Sequence, residues 1–169
     1  VDDFSSGKIS NLNDLDLEIY NKKIEQLDNK LFKKIDFIIH LAAQASVPLS
    51  VENFYQSSSN NLLSSIKVFE IAKEFSLPVI YASSSAVYGN LPIGDDIANK
   101  FDILTPYALD KLTLESYADL CNKVFAIPSI GFRFFNVYGP NQDPNNPYSG
   151  VISLFVSQSI NGEDIHIFG

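Results

Sequence analysis

Tyr107 and Lys111 stand four residues apart in the stretch Pro106-Tyr107-Ala108-Leu109-Asp110-Lys111, so on a helix they share a face. An ammonium close to a phenol favours the phenolate and lowers the tyrosine pKa toward the range useful for a base. Upstream, Ser83-Ser84-Ser85 directly follows the apolar run Pro78-Val79-Ile80-Tyr81-Ala82. A serine hydroxyl there could hydrogen-bond both the phenol oxygen and a substrate alcohol. Such a trio can take a proton from an alcohol while hydride leaves its carbon. Taken alone, the Tyr–Lys pair reads more readily as a solvated helix face, and the serines as an ordinary loop. Their order behind a strand is what joins them.

Other chemistries find little support. Cys121 is the single cysteine, which excludes an intrachain disulfide and a cysteine-based structural zinc site. His40 lies inside an apolar run and reads as a packed core histidine, and His166 is remote from it, so no metal site is expected. The adjacent carboxylates Asp2-Asp3 and Asp95-Asp96 are poorly placed for shared acid–base work, and apart from Asp2 they read as solvated. The net charge of -8 argues against a nucleic-acid or membrane-surface binder, which would carry a basic patch. No apolar run approaches the ~18 residues of a membrane span, and no signal-peptide layout opens the chain. A cytoplasmic, acidic globular domain is expected. A chain of 169 residues, 46% apolar, is long enough to bury a core.

The elements that must carry these groups follow from periodicity. Leu15, Leu17 and Ile19 alternate with charged residues as in a half-buried strand. Ile24, Leu27, Leu31 and Phe32 recur at helical spacing over 24–34. Residues 36–42, 78–82 and 127–134 are apolar runs of the kind that form strands covered on both faces. A loop is expected over 43–50, a long helix over 51–75 interrupted near Ser57-Ser58-Ser59-Asn60-Asn61, and a long loop over 83–105. Thr105 and Pro106 read as the cap and first residue of a helix running to Val124. A last helix is expected from Tyr148 or Ser149 to about Ile160, and a short strand at the end. Alternating strand and helix predicts an α/β fold, a Rossmann-type doubly wound parallel sheet. In such a sheet ligands gather beyond the carboxyl ends of the strands. The chain opens on Val1-Asp2-Asp3-Phe4 without methionine and is read as an internal piece of a longer protein.

Four blocks carry a family likeness: Ile39-His40-Leu41-Ala42-Ala43-Gln44-Ala45-Ser46-Val47-Pro48, Ser83-Ser84-Ser85-Ala86-Val87-Tyr88-Gly89, Pro106 to Lys111, and Arg133-Phe134-Phe135-Asn136-Val137-Tyr138-Gly139-Pro140. In that order they resemble the extended short-chain dehydrogenase/reductase family, in particular the nucleotide-sugar epimerases. The stretch Asn141 to Tyr148 looks closest to epimerases of UDP-hexoses and their N-acetyl forms.

The resemblance implies roles by position. Tyr107 would be the catalytic base, Lys111 would lower its pKa and hold the nicotinamide ribose, and Ser84 would be the catalytic hydroxyl. Asp2 would grip the adenosine ribose and repel a 2′-phosphate, favouring NAD over NADP. Leu41, Ala42, Ala43 and Gln44 would run along the cofactor, Asn60 would lie near it, and Phe135 would pack by the nicotinamide. Ser46, Ser85 and Asn136 would contact the UDP-sugar. The implied domains are a truncated NAD-binding domain over 1–148 and the start of a nucleotide-sugar domain over 149–169. The implied reaction is 4-epimerisation: Tyr107 deprotonates the C4 hydroxyl as the C4 hydride passes to NAD⁺, and the bound 4-keto sugar turns and takes hydride back on its other face. Relatives imply a homodimer through helices 53–75 and 106–124.

Departures matter as much. The glycine-rich pyrophosphate turn, expected about 20 residues before the ribose-binding acid, is not in this sequence, so the resemblance implies a fold lacking its first βα unit, and Lys23-Ile24 stands where an Asp-Ile pair is expected. These 169 residues alone are therefore expected not to turn over. Ser85-Ala86 occupies the place where a 4,6-dehydratase would show Asp-Glu. A related dehydratase or decarboxylase, a non-catalytic NAD-binding protein and an inactive fragment remain the alternatives.

Overall fold

The computed structural model describes residues 1–92, 100–143 and 150–167, which form two compact units, Val1–Phe134 and Phe135–Gly169. The first is built on three parallel strands in the order β1 (Ile38–His40), β2 (Val79–Ser84), β3 (Ser129–Phe134). The register aligns Ile39 with Ile80 and Ile80 with Ile130, and further along aligns Ser83 with Arg133. Parallel pairing requires a crossover between successive strands. The first crossover holds α1 (Val47–Glu52), α2 (Phe54–Ser58), a π turn (Ser59–Leu63) and α3 (Ser64–Phe75); the second holds α4 (Pro106–Phe125).

The core lies between the sheet and helices α3 and α4. Val68, Phe69 and Ala72 of α3 and Leu114, Ala118 and Cys121 of α4 form one cluster with Val79 and Tyr81 of β2. Phe69 packs edge-on to Tyr81 with ring centroids 6.1 Å apart. Gly131 is required here, because a Cβ at that position would sit 2.3 Å from the Tyr81 ring. On the opposite face Ile39 and Ile130 remain 55% and 59% exposed. A strand that is apolar on both faces reads the same in sequence whether or not both are covered; among the described residues helices cover one.

Several elements differ from expectation. Residues 24–34 form two 3₁₀ turns, Ile24–Gln26 and Asn29–Lys34, rather than one helix. Leu27 is extended between them and the Asp28 carboxylate accepts from the Lys30 N–H, which starts the second turn afresh. Ile24 and Phe32 still reach the core, so the apolar spacing reports burial without a continuous helix. Leu15 and Leu17 are exposed and lie outside any strand, and the pairing in this region is one parallel bridge between Asp2 and Asn21. The expected loop over 43–50 is already helical from Val47, because Ser46 caps it and Pro48 sits in its first turn. The long helix breaks at Asn53 and passes through the π turn at the serine-asparagine run. Strand β2 extends through Ser83 and Ser84, so two of the three serines are strand residues. Helix α4 begins as expected, with the Thr105 hydroxyl accepting from the Ala108 N–H.

In the second unit, α5 (Val151–Asn161) ends on Gly162, whose φ of +69° suits glycine. Tyr148 and Ser149 lie outside the described residues, as do Asp95 and Asp96, and residues 163–167 form no strand. A cavity of about 440 Å³ lies between α5 and the Tyr138–Gln142 turn. No described helix is long and apolar enough to cross a membrane.

Candidate active site

Helix α4 enters the site through three satisfied backbone groups. The Tyr107 N–H donates to Ser50 Oγ at 3.2 Å, the Ala108 N–H to Thr105 Oγ1 at 3.2 Å, and the Leu109 N–H to the Thr105 carbonyl at 3.1 Å. The first two are donors a helix start leaves unpaired, and the third is the first bond of the helix itself. Tyr107 and Lys111 consequently project inward and are only 8% and 5% exposed. The Lys111 ammonium donates to the Ala82 carbonyl at 2.8 Å and lies 5.7 Å from the centroid of the Tyr107 ring. Ser84, also buried, accepts the Ala86 N–H at 3.1 Å, and its hydroxyl draws the pKa of the Tyr107 phenol down. The fold thus gathers Ser84, Tyr107 and Lys111 at the carboxyl end of β2.

Burial dominates the electrostatics of this cluster. It raises the Tyr107 phenol above its ordinary value, and the Ser84 hydrogen bond pulls the other way. The lowering expected from Lys111 does not figure among the influences on the phenol, and its ammonium donates instead to the Ala82 carbonyl. Burial lowers Lys111 itself to about 8, against the opposing charge of Asp110. Asp110 is in turn raised by burial, while hydrogen bonds from Ser58 and Asn61 oppose that shift.

The serine triplet divides three ways. Ser83 donates to Glu115, Ser84 meets Tyr107, and half-buried Ser85 opens a 3₁₀ turn that ends at Tyr88. Consecutive strand residues point to opposite faces, a divergence that the three identical letters conceal.

After β1, the loop Leu41-Ala42-Ala43-Gln44 is fixed by Asn61. Asn61 Oδ1 accepts the Gln44 N–H at 2.8 Å and its Nδ2 donates to the Gln44 carbonyl at 3.1 Å. The Gln44 side chain accepts from the Ser57 hydroxyl and donates to the Ser46 carbonyl. Leu41 and Ala42 are exposed and Ala43 is half-buried. Asn61 is the residue that sequence reasoning missed; the neighbouring Asn60 instead accepts from Lys23 Nζ at 2.9 Å and from Gln56. Two adjacent asparagines offer no signal for choosing between them, and the π turn decides. His40 lies behind this loop with Nε2 2.9 Å from Ser65 Oγ, whose own proton goes to the Asn61 carbonyl at 2.6 Å. His40 Nε2 is therefore the donor.

The remaining site candidates are spread more widely. Asp2 is exposed at the parallel bridge and accepts the Phe4 N–H at 2.7 Å. Ser46 is buried and accepts the Leu49 N–H as the cap of α1. Phe135 and Asn136 are exposed and open the second unit. No described group of His, Cys, Asp or Glu could hold a metal ion. The first unit does offer groups that fit a dinucleotide: a buried ammonium beside a phenol, an open loop with small side chains at Ala42 and Ala43, and an exposed carboxylate at Asp2.

The NAD dependent epimerase/dehydratase family model matches residues 4–169. A putative UDP-glucose 4-epimerase of Methanocaldococcus jannaschii is 34% identical over all of this chain and 57% of its own length. A UDP-N-acetylglucosamine 4-epimerase of Methanobrevibacter ruminantium, solved with UDP-N-acetylmuramic acid, superposes with a TM-score of 0.90 at 38% identity, covering 99% of this chain and 56% of that one. The Thermotoga maritima UDP-glucose 4-epimerase, solved with UDP-glucose, gives 0.85 at 30% identity with 99% and 56% coverage. A decarboxylase and a 4,6-dehydratase of nucleotide sugars also match, and a Thermus thermophilus UDP-glucose 4-epimerase was solved with NAD. The chain spans about half the length of the curated relatives it matches.

Proposed function

We propose that this chain, which belongs to the NAD-dependent epimerase/dehydratase family, is the NAD-binding and catalytic part of an enzyme that epimerises a UDP-hexose or UDP-N-acetylhexosamine at C4. The observation that carries this reading is the convergence of a phenol, an ammonium and a hydroxyl at the end of β2. Tyr107 takes the C4 hydroxyl proton, and Ser84 donates a hydrogen bond to the same alcohol. The Ser84 hydroxyl is the influence on Tyr107 that opposes burial, and Lys111, with its ammonium 5.7 Å from the ring centroid, holds the nicotinamide ribose. Bound NAD⁺ supplies the acceptor for the C4 hydride.

In this reading Asp2 holds the adenosine ribose, and the backbone of Leu41, Ala42, Ala43 and Gln44 borders the cofactor, with Asn60 and Phe135 near it. Gln44 and Ser46 have polar groups engaged in local bonds, so they shape the pocket as much as they touch its contents. Ser46, Ser85 and Asn136 contact the UDP-sugar, and residues 149–169 begin its domain. Exposed Leu63, Leu109, Leu120 and Val124 on the π turn and α4 support a homodimer through these helices. Elimination at C5–C6 is the weaker reading, since Ser85-Ala86 offers no acid–base pair after the hydroxyl.

The test is the full-length protein incubated with UDP-glucose and with UDP-N-acetylglucosamine, products separated and bound NAD assayed. Appearance of the C4 epimer of either sugar supports the assignment. Bound NAD with conversion of neither overturns it.

A further inference from the structure

Arg133 is the one arginine in the sequence, and its guanidinium is used on three sides. Nε donates to Glu115 Oε1 at 2.8 Å and Nη2 to Glu115 Oε2 at 2.7 Å, a two-pronged bond to α4. Nη1 donates to the Tyr88 hydroxyl at 3.1 Å. The guanidinium carbon also lies 5.1 Å from the Tyr88 ring centroid and 5.0 Å from that of Phe101. Glu115 accepts a further bond from Ser83.

These partners bracket Ser84 along the chain. Ser83 precedes it and stands opposite Arg133 in the sheet register, and Tyr88 closes the turn that follows it. Between them the Ala86 N–H is held by Ser84 Oγ and the Gly89 N–H by the Ala86 carbonyl. Gly89, at φ +53°, presses on Asp102, whose carbonyl oxygen would lie 2.0 Å from a Cβ there. The segment carrying the hydroxyl is thus tied at one end through Glu115 and at the other directly to the guanidinium. A lysine can supply the charge but not the fork, the third bond and the stacking together.

We propose that Arg133 is a positioning residue for Ser84, holding the end of β2 and the turn that follows it in register with Tyr107 through Glu115 and Tyr88. The proposal rests on the reading of Ser84 as the site hydroxyl. A misplacement of about 1 Å at a reacting group can cost a hundredfold in rate, and a chain-reversing turn is free to drift by that much once one anchor is lost.

The test uses the full-length protein with Arg133→Lys and Tyr88→Phe, the second deleting only the hydroxyl that links the guanidinium to the turn. Four quantities are read: kcat and KM for the UDP-sugar, bound NAD, and hydrogen exchange of the Ala86 and Gly89 amides. Expected are a fall in kcat of about tenfold or more, unchanged KM and NAD content, and faster exchange at both amides. If Arg133→Lys does not fold, Tyr88→Phe carries the same comparison. Wild-type kcat with wild-type exchange overturns the proposal, as does a kcat loss that merely follows lost NAD. If the wild type converts no UDP-sugar, the function assignment fails separately and exchange alone decides: faster turn amides support the anchoring, unchanged ones defeat it.

Discussion

Ser50 of α1 holds the backbone of Tyr107: its fully buried hydroxyl accepts the Tyr107 N–H at 3.2 Å and donates to the Val47 carbonyl at 2.7 Å. The residue proposed as base is therefore located by a helix more than fifty residues upstream as well as by its own cap. Ser50→Ala leaves a buried N–H without a partner, which costs about 1–3 kcal/mol. Urea unfolding of the full-length protein is expected to show a loss of that size, with lower kcat. A Thr105→Ala variant, losing an ordinary cap, is expected to lose about 1 kcal/mol.

Lys111 is placed at the expense of stability. Its pKa falls to about 8 because burial penalises the ammonium, so below that pH the fold carries a charge it would rather shed. Between about 8 and the ordinary lysine value the unfolded chain holds more protons, and wild-type stability rises with pH across that window. Lys111→Met is expected to abolish epimerisation yet raise the unfolding free energy by about 1 kcal/mol at pH 7, because a buried charge is replaced by an apolar chain of similar shape. The advantage should shrink toward pH 10. Equal or lower stability of the variant at pH 7 would contradict the account.

Asn61 and Asn60 make a paired comparison. Asn61→Ala releases both the N–H and the carbonyl of Gln44, and the loop along which the cofactor is proposed to run loses its clamp. Bound NAD is expected to weaken about tenfold, equivalent to 1.4 kcal/mol, measured by retention on gel filtration and by titration. Asn60→Ala breaks bonds to Lys23 and Gln56 at an exposed position and is expected to leave NAD retention within twofold. The reverse order would favour Asn60 over Asn61 as the asparagine on which cofactor retention depends.

That pair shows where the sequence stops being informative. The α/β class was legible because apolar runs and capping signals are local: Thr105-Pro106 marks the start of α4 where the structure has it. Tyr107, Lys111 and Ser84 were legible as a group only through spacing and likeness to a family. What failed was whatever depends on packing. The helical spacing of Ile24, Leu27, Leu31 and Phe32 records contact with the core, and an extended Leu27 satisfies it as well as a helix does. The partners of Ser83 and Ser84 differ because strand β2 outlasts its apolar run. The phenol shifts up rather than down because burial outweighs the other influence on it, and burial is set by packing that no side-chain spacing announces.

His40 supplies the acid limb of stability. Burial lowers it to about 4, with the Lys111 charge as a second cause, and its Nε2–H is committed to Ser65. Because the folded value lies below the unfolded one of about 6.5, the unfolded chain binds the proton first as pH falls. Stability is therefore complete above 6.5 and lost progressively down to about 4, by up to ~3 kcal/mol at 1.36 kcal/mol per unit. His40→Asn removes that titration. Its unfolding free energy is expected to be lower than wild type at pH 7, where a buried bond has been disturbed, but flatter between 6.5 and 4. Parallel wild-type and variant curves across that interval would show that another group controls the acid transition.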